Sequence, residues 1–299
     1  MSTLKGLLDS AESGSNLVVT GPHYEWLELL EHEQMPSREA MFHVIKVLLR
    51  QFKMPRAGRF SPSAMGMCAR RIVFGYAGAP QLAPDTGSLE IFDHGTVSHL
   101  KWQIEGITMG WMKAGEGWVE DKDLLIGGST DGELENGDVF ELKSAAPSVF
   151  NRIVIDQRAP KYENLMQVNT YFLLSGADWA SVVYEDRAYG NFHEFRVERD
   201  AKIEKEILRR LKSYKGYVEQ DELPPMLAPC EERIGSTYKY CPYRKFCPTV
   251  STVSAAEEAG KKAGQEDAGR IIPLGLAMPV WAQELLKFID AMEVTDASA

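Results

Sequence analysis

Asp131, Glu141 and Lys143 lie close together in the stretch GGSTDGELENGDVFELKSA, residues 127–145. Two converging carboxylates can hold a divalent cation, and a neighbouring lysine can steady the hydroxide that the cation generates from water. Such a group is suited to the hydrolysis of phosphate esters. Side chains two positions apart on a strand face the same way, so Glu141 and Lys143 share a face if this segment is a strand. Solvated charges on an ordinary hairpin are the alternative that these three residues leave open.

The position of Asp131 relative to Glu141 depends on the turn between them. Apolar alternation on both sides of an Asn-Gly pair predicts a β-hairpin. A two-residue loop would pair Asp131 with Leu142 and place it on the opposite face from Glu141. A three-residue loop over 135–137, with Gly137 in the left-handed conformation, pairs Asp131 with Glu141 instead. We therefore predict the three-residue loop, or a bulge between the two acids.

Two further pairs have helical spacing. Gly95 and His99 are four residues apart, as are Gln167 and Tyr171, so each pair lies on one face of its helix. His99 is a candidate third metal ligand, because imidazole nitrogen binds divalent metals. An ordinary helix histidine and an ordinary polar helix edge are the alternatives for these residues.

In chain order these residues resemble the motifs of the PD-(D/E)xK nuclease superfamily, and more narrowly its RecB-type branch. The matching elements are GxxxH (Gly95, His99), Asp131, ELK (Glu141–Lys143) and QxxxY (Gln167, Tyr171). The resemblance covers roughly residues 60–248, and Thr130 stands where the superfamily's motif has proline.

The resemblance implies a role for each of these positions. It makes His99, Asp131, Glu141 and the backbone carbonyl of Leu142 the ligands of Mg²⁺ or Mn²⁺. It makes Lys143 the residue that positions the attacking water, with Gln167 and Tyr171 supporting the active site and the DNA path.

The chain has four cysteines: Cys68, Cys230, Cys241 and Cys247. Four thiolates complete a tetrahedral zinc site or ligate an iron–sulfur cluster, and disulfides are rare in a reducing compartment. One cysteine before the nuclease motifs and three after them resembles the iron–sulfur RecB-type nucleases, including the AddB nuclease domain and CRISPR-associated adaptation exonucleases. That resemblance implies a [4Fe–4S] cluster, although Cys230 and Cys241 are further apart than in those proteins. A structural zinc and four unrelated buried thiols remain alternatives.

A basic stretch precedes these motifs. No acidic residue occurs from Met41 to Arg71, a window that contains seven lysines and arginines. A solvated basic loop is the ordinary interpretation of such a stretch. Next to a metal site it becomes a candidate track for phosphates, and we predict that Arg70 and Arg71 contact DNA.

The wider pattern predicts an α/β fold. Helical periodicity occurs at 24–33, 38–53, 89–105, 160–175 and from about residue 200, and β patterns occur at 117–146, 180–187 and 191–198. With the resemblance, this predicts a restriction-endonuclease-like core, a central mixed sheet flanked by helices, and a helical cap that carries the cluster. We predict an N-terminal helical region (1–60), a nuclease core (61–248), a linker (249–269) and a C-terminal helical tail (270–299).

Composition limits the functional classes. The chain has 299 residues and a net charge of −10, which disfavours a non-specific nucleic-acid coat protein. It has no Walker-type loop, no secretory signal and no apolar run long enough to cross a membrane, so we predict a cytoplasmic protein of a bacterial or phage-infected cell.

The expected function is that of a metal-dependent DNA exonuclease acting on single-stranded ends in recombination, repair or CRISPR-type adaptation. A structure-specific or nicking endonuclease and a non-catalytic DNA-binding component of a recombination or packaging complex are the alternatives. A helicase or recombination protein is the expected partner, and the tail offers a route to a homo-oligomer.

Overall fold

The computed structural model describes residues 17–30, 35–50 and 57–266, with the isolated positions 284 and 287. This part of the chain divides into two compact units. The first contains the described residues up to Met41 together with Glu90–Val119 and Ser129–Ala201. The second contains Phe42–Leu89, Glu120–Gly128 and the described residues from Lys202 onward.

A five-stranded mixed sheet forms the centre of the first unit, in the order β1-β4-β5-β6-β7. Its strands are β1 (Met112–Ala114), β4 (Gly132–Leu134), β5 (Val139–Ala145), β6 (Trp179–Asp186) and β7 (Phe192–Glu198). β5 and β6 run parallel, and the other neighbouring pairs are antiparallel. Two further strands, β2 (Gly117–Asp121) and β3 (Ile126–Thr130), form a separate two-stranded sheet.

The α-helices of the described residues are numbered in chain order. They are α1 (Thr20–Leu30), α2 (Arg38–Arg50), α3 (Ala69–Ala77), α4 (Thr86–Met109), α5 (Pro147–Asn151), α6 (Tyr162–Ser175), α7 (Ala201–Glu219), α8 (Ala228–Glu231), α9 (Gly235–Lys239) and α10 (Val253–Glu266). A π-helical segment, Arg152–Gln157, follows α5. None of these helices is long and apolar enough to cross a membrane.

Helices cover both faces of the central sheet. Val168 and Phe172 of α6 pack in one apolar cluster with Val182 of β6. Trp102 of α4 packs in a second cluster with Phe140 of β5. Side chains alternate between the faces of a strand, so these two clusters account for the nearly complete burial of β5 and β6. The predicted α/β fold, with a central mixed sheet flanked by helices, is confirmed.

The β4–β5 hairpin has the predicted register. Gly132 pairs with Phe140, so the next position along brings Asp131 opposite Glu141. The loop is three residues long, because the N–H of Leu134 bonds to the carbonyl of Asp138 across residues 135–137. Gly137 has a φ of 84°, a conformation that glycine adopts without the clash that a Cβ would cause.

The crossover between β5 and β6 places α6 beside the sheet. α6 begins shortly after Pro160 and ends at Gly176, whose φ of 81° gives a left-handed C-cap. The parallel register then sets Val182 beside Glu141 and Tyr184 beside Lys143. The predicted helix over 160–175 and the two strands after it are confirmed, as is the long helix after residue 200.

A buried carboxylate fixes the start of α1. Both oxygens of Glu194 on β7 accept hydrogen bonds from the backbone N–H groups of Val18, Val19 and Thr20, at 2.9–3.1 Å. A negative charge at this position satisfies N–H groups that have no partner within the helix and complements its dipole.

The C-terminal part of the second unit differs from the prediction. The segment 249–269 was predicted to be a linker, yet it contains helix α10. Val253 and Ala256 of α10 are buried, and the helix packs against α3. A Cβ on Gly260 would lie only 2.1 Å from the carbonyl oxygen of Gly78, so the small residues of this segment serve close helix packing. The predicted tail, 270–299, lies outside the described residues apart from two positions.

A buried hydrogen bond joins α1 to α4. His23 Nδ1 lies 2.7 Å from Glu105 Oε2, and the imidazole stacks on Trp102. The other oxygen of Glu105 is buried without a hydrogen-bond partner. Burial raises the pKa of Glu105, and Glu185 adds to the rise, although His23 and Lys101 oppose it.

This raised pKa predicts a loss of stability with increasing pH. The unfolded chain releases the Glu105 proton near the ordinary glutamate value of about 4.3, whereas the folded protein retains it to higher pH. The folded state therefore binds more protons in that window, and its free energy of unfolding falls as the pH rises through the folded pKa. In urea unfolding at several pH values, Glu105→Gln should gain stability relative to the parent across that window. The exposed Glu90→Gln is the control, and a pH-independent difference for Glu105→Gln would contradict the prediction.

Candidate active site

Asp131 lies at the bend between β3 and β4, where it is held from two sides. Its Oδ1 is 3.2 Å from His99 Nδ1, and its Oδ2 accepts the N–H of Leu142 at 2.8 Å. Gln103, one turn after His99 on α4, donates its amide to the backbone carbonyl of Asp131 at 2.8 Å. Sequence reasoning missed Gln103, although its spacing of four from His99 places it on the same helix face.

The contact between Asp131 and His99 shifts the pKa of both side chains. Burial favours the neutral form of Asp131, but His99, Lys143 and the Leu142 N–H outweigh it and lower the pKa of this carboxyl. Burial likewise opposes charge on His99, but Asp131 and Glu141 outweigh it and raise the pKa of the imidazole. These shifts favour a His99–Asp131 ion pair.

Glu141 is the deepest carboxylate of the site, with its side chain 0% exposed. Burial raises its pKa to about 7, and the neighbouring Asp131 contributes to the rise against the opposing Lys143 and His99. The Lys143 ammonium contacts Oε1 of Glu141, and Oε2 has no hydrogen-bond partner. A buried carboxylate is costly unless a cation lies beside it, and the Lys143 ammonium holds that position here.

A chain of hydrogen bonds holds Lys143. Its ammonium donates to Gln167 Oε1 at 3.0 Å, and the Gln167 amide donates to the hydroxyl of Tyr171 at 3.2 Å. That hydroxyl donates to the carbonyl of Ser129 at 2.6 Å. Burial would lower the pKa of Lys143, but Glu141 and Asp131 outweigh it and raise the pKa, which keeps the ammonium charged. The QxxxY pair on α6 therefore orients the lysine of β5.

Tyr184 is a neighbour of the site that sequence reasoning missed. It pairs with Lys143 in the β5–β6 register, and burial raises the pKa of its hydroxyl to about 12. The hydroxyl donates to Asn164 at 2.6 Å and accepts the N–H of Lys161 at 3.1 Å. No local spacing could have identified Tyr184, because its position follows from strand pairing across the crossover.

The four cysteines meet in the second unit. Cys68, Cys230, Cys241 and Cys247 line one cavity. All four have free thiols. Burial raises the pKa of Cys247, and the other three sulfurs add to the rise against the opposing Arg70. Burial, Cys68 and Cys241 likewise raise the pKa of Cys230. This mutual electrostatic effect reflects the proximity of the four sulfurs.

Arg70 and Arg71 also line the cysteine cavity. The Arg70 guanidinium donates to the backbone carbonyls of Pro224, Cys247 and Val250 at 2.7–3.1 Å. It therefore ties α3 to the segment that carries the last cysteine. Contact of either arginine with DNA stays a prediction.

The carboxylate site and the cysteine cavity each bring candidate ligands together, but neither has its side chains in metal-binding geometry. In the described ranges, no group of three or more His, Cys, Asp or Glu residues could hold a metal ion as the side chains stand. At the carboxylate site, both Asp131 oxygens are engaged and the Lys143 ammonium lies against Glu141.

The fold and this site define an α/β domain with a buried carboxylate–lysine centre. No protein-family model and no curated protein matches the chain. Among solved structures, the chain is similar to an alkaline exonuclease (LHK-Exo) from Laribacter hongkongensis. The sequence identity is 18% over 55% of this chain and 90% of that chain, with a TM-score of 0.44.

Two further solved structures are similar at a comparable level. The protein SSO0001 is 17% identical over 69% of this chain and 94% of that chain, with a TM-score of 0.41. A phage-related exonuclease from Haemophilus somnus 129PT is 17% identical over 53% of this chain and 81% of that chain, with a TM-score of 0.38. These values are too low to assign an activity to this chain.

Proposed function

We propose that this chain is a metal-dependent DNA nuclease, acting as an exonuclease on single-stranded ends. The observation that carries the proposal is the convergence of Asp131, Glu141 and Lys143, with Glu141 wholly buried against the Lys143 ammonium. A hairpin that served only as a solvated surface would leave these charges in water. Bringing three ionisable groups together around the buried Glu141 is costly, and pKa shifts of this kind cluster at functional sites.

The donor set suits a hard divalent cation. Carboxylate oxygens from Asp131 and Glu141 match the ligand preferences of Mg²⁺ and Mn²⁺, and the resemblance implies the His99 imidazole as a further ligand. The resemblance adds the Leu142 carbonyl. Glu141 fits this role because it is wholly buried and its Oε2 has no hydrogen-bond partner, while Lys143 would have to withdraw from Oε1 to admit the ion. When bound, such a cation would supply charge to the phosphate and lower the pKa of water.

The side chains of the site have separate roles in the hydrolysis. Lys143, aimed by Gln167 and Tyr171, holds the attacking water and stabilises negative charge that develops on its oxygen. The water oxygen loses a proton to solvent and bonds to phosphorus as the bond to the leaving oxygen breaks, and the leaving oxygen takes up a proton from solvent. His99 and Gln103 keep Asp131 in place during the reaction.

For the four-cysteine cavity we propose a [4Fe–4S] cluster, with zinc as the alternative. Soft thiolates from four residues suit either ion type, and the resemblance of the cysteine pattern favours iron–sulfur. The role would be structural, since Cys68 is separated from Cys230 by more than 160 residues in the chain. A cluster ligated by both would fix the long intervening loop within the folded protein.

Linear and circular single-stranded DNA separate the proposed activity from its alternatives. The purified protein should degrade an end-labelled linear strand in Mg²⁺ or Mn²⁺ and leave a covalently closed circle intact. Cleavage of the circle would identify an endonuclease. Binding without cleavage, in every metal tried, would identify a non-catalytic component and overturn the proposal.

Arg71 is the residue to substitute in a test of the predicted DNA contact. Arg70 is less suitable, because its guanidinium bonds to backbone carbonyls and its loss would disturb the fold. Arg71→Ala should weaken binding to single-stranded DNA and reduce the slope of log affinity against log salt by about 1, the effect of losing one phosphate contact. Fluorescence anisotropy over a salt series measures this slope. The matched control is Arg209→Ala, since Arg209 is exposed and pairs with Glu206. An unchanged slope for Arg71→Ala would remove this residue from the DNA path.

A further inference from the structure

The first half of α4 carries apolar side chains in solvent. Phe92 and Val97 are 60% and 57% exposed, and Ile91 is 46% exposed. Exposing a large aromatic ring to water is unfavourable, so an exposed phenylalanine beside a candidate site is a candidate contact for a ligand. Each of these side chains points in a different direction from the helix, so they can be tested separately.

Phe92 is the one that shares a face with the candidate active site. It precedes His99 by seven residues, which is about 20° short of two full helical turns. His99 contacts Asp131, and Gln103, one turn further on, contacts the Asp131 backbone. Phe92 therefore extends the same stripe of the helix about 10 Å beyond His99 along the axis.

The stripe between Phe92 and His99 is open and uncharged. A Cβ on Gly95 would meet nothing within 4 Å. The hydroxyl of Thr96 donates to the carbonyl of Phe92 within the helix. A phosphate would find no cation on this stripe, whereas the flat face of a base can stack on an aromatic ring.

We propose that Phe92 stacks on an unpaired base of the nucleic-acid strand whose phosphate occupies the Asp131–Glu141–Lys143 site. This inference rests on the proposed nuclease function and specifies part of its substrate: a strand that is single-stranded close to the cleaved bond. Nucleotides advance by about 3.4 Å in a stacked strand and by more in an extended one, so about 10 Å spans one to three nucleotides. A paired base would have its face covered by its neighbours in the duplex.

The experiment measures binding in a Lys143→Ala background, which prevents degradation of the probe. The probe is a fluorescently labelled single-stranded oligonucleotide, and its affinity is read by anisotropy. Phe92→Ala should weaken binding by about 5- to 150-fold, the range expected for the loss of one base–aromatic stack worth about 1–3 kcal/mol. Phe92→Trp should retain the affinity. The matched control, Val97→Ala, removes an equally exposed apolar side chain on the opposite side of α4 and should leave binding unchanged.

A set of oligonucleotides, each with one abasic position, identifies the base itself. At the contacted position the abasic probe should bind the Phe92 parent more weakly, and Phe92→Ala should then cause no further loss. If Phe92→Ala binds every probe as the parent does, the inference is overturned. If Phe92→Ala weakens binding to the same extent with every abasic probe, Phe92 contacts no particular base, and this outcome also overturns the inference.

Failure of the inference is distinguishable from failure of the proposed function. The protein with Lys143 intact is assayed for cleavage of the unmodified oligonucleotide in parallel. If that protein cleaves the oligonucleotide and Phe92→Ala leaves the binding affinity unchanged, the stacking contact alone is refuted. Absence of both cleavage and binding refutes the nuclease proposal, and the stacking contact with it.

Discussion

Lys143→Ala should reduce cleavage of single-stranded DNA by about 10²- to 10⁴-fold, the range that a positioned proton-transfer or charge-stabilising group supplies. The ammonium contacts Glu141 and is aimed by Gln167, so its removal deletes the cationic side chain that is proposed to orient the attacking water. Affinity for the oligonucleotide should change little, because Lys143 is only 26% exposed. Single-turnover cleavage and anisotropy on the same preparation give the two quantities.

Lys101→Ala is the matched control for this experiment. Lys101 belongs to the same unit, but it is 45% exposed, and its ammonium lies 3.3 Å from Glu185 instead of against Asp131 or Glu141. Its loss should leave cleavage within a few-fold of the parent. Cleavage retained by Lys143→Ala would mean that the active site lies elsewhere.

Replacement of Cys247 by alanine should remove the proposed cluster or zinc ion and destabilise the second unit. Four thiolates are needed to complete either a zinc or an iron–sulfur site, so the loss of one is expected to release the ion or cluster. Cys68 and Cys230 are separated by more than 160 residues. A cross-link across a loop of that length raises the free energy of the unfolded chain by about 5 kcal/mol in a chain-entropy estimate. The protein purified without oxygen should be brown, and Cys247→Ala should be colourless, with a lower midpoint of thermal unfolding.

Tyr238→Phe provides the control for the cofactor. Tyr238 lines the same cavity without offering a thiol, so this variant should keep both the colour and the stability. A colourless parent protein that contains zinc would overturn the iron–sulfur assignment, but it would still support a metal site shared by the four cysteines. Alanine variants at all four cysteines that keep the parent's stability and metal content would exclude a shared site.

Much of the carboxylate site could be predicted from the sequence because its geometry is local. The register of Asp131 and Glu141 follows from the loop length and from a glycine at the left-handed position, which are properties of a few consecutive residues. The shared faces of Glu141 with Lys143, and of Gln167 with Tyr171, follow from the strand and helix repeats. The same periodicities predicted the main helices and strands of the first unit.

The segment 249–269 shows where composition alone misleads. Alanine and glycine are common in flexible linkers, and the segment lacks aromatic residues. In the folded protein these small residues allow α10 to approach α3 closely, with Ala256 fully buried. Whether small residues serve flexibility or close packing depends on the neighbouring helix, which the local sequence does not contain.

Arg70 shows the same dependence on tertiary context. Its place in a basic stretch predicted a DNA contact, whereas its guanidinium bonds to three carbonyls more than 150 residues away in the chain. Tyr184 reaches Lys143 only through the parallel pairing of β5 and β6.

The sequence by itself determined the order of the chemical groups, the hairpin register and the helix faces, because each depends on bond geometry over a few residues. Only the tertiary structure decided that Glu141 is wholly buried, that Gln167 and Tyr171 aim Lys143, and that the four cysteines line one cavity. Those outcomes depend on packing between segments far apart in the chain, where the burial of apolar surface, and not local conformation, selects the arrangement.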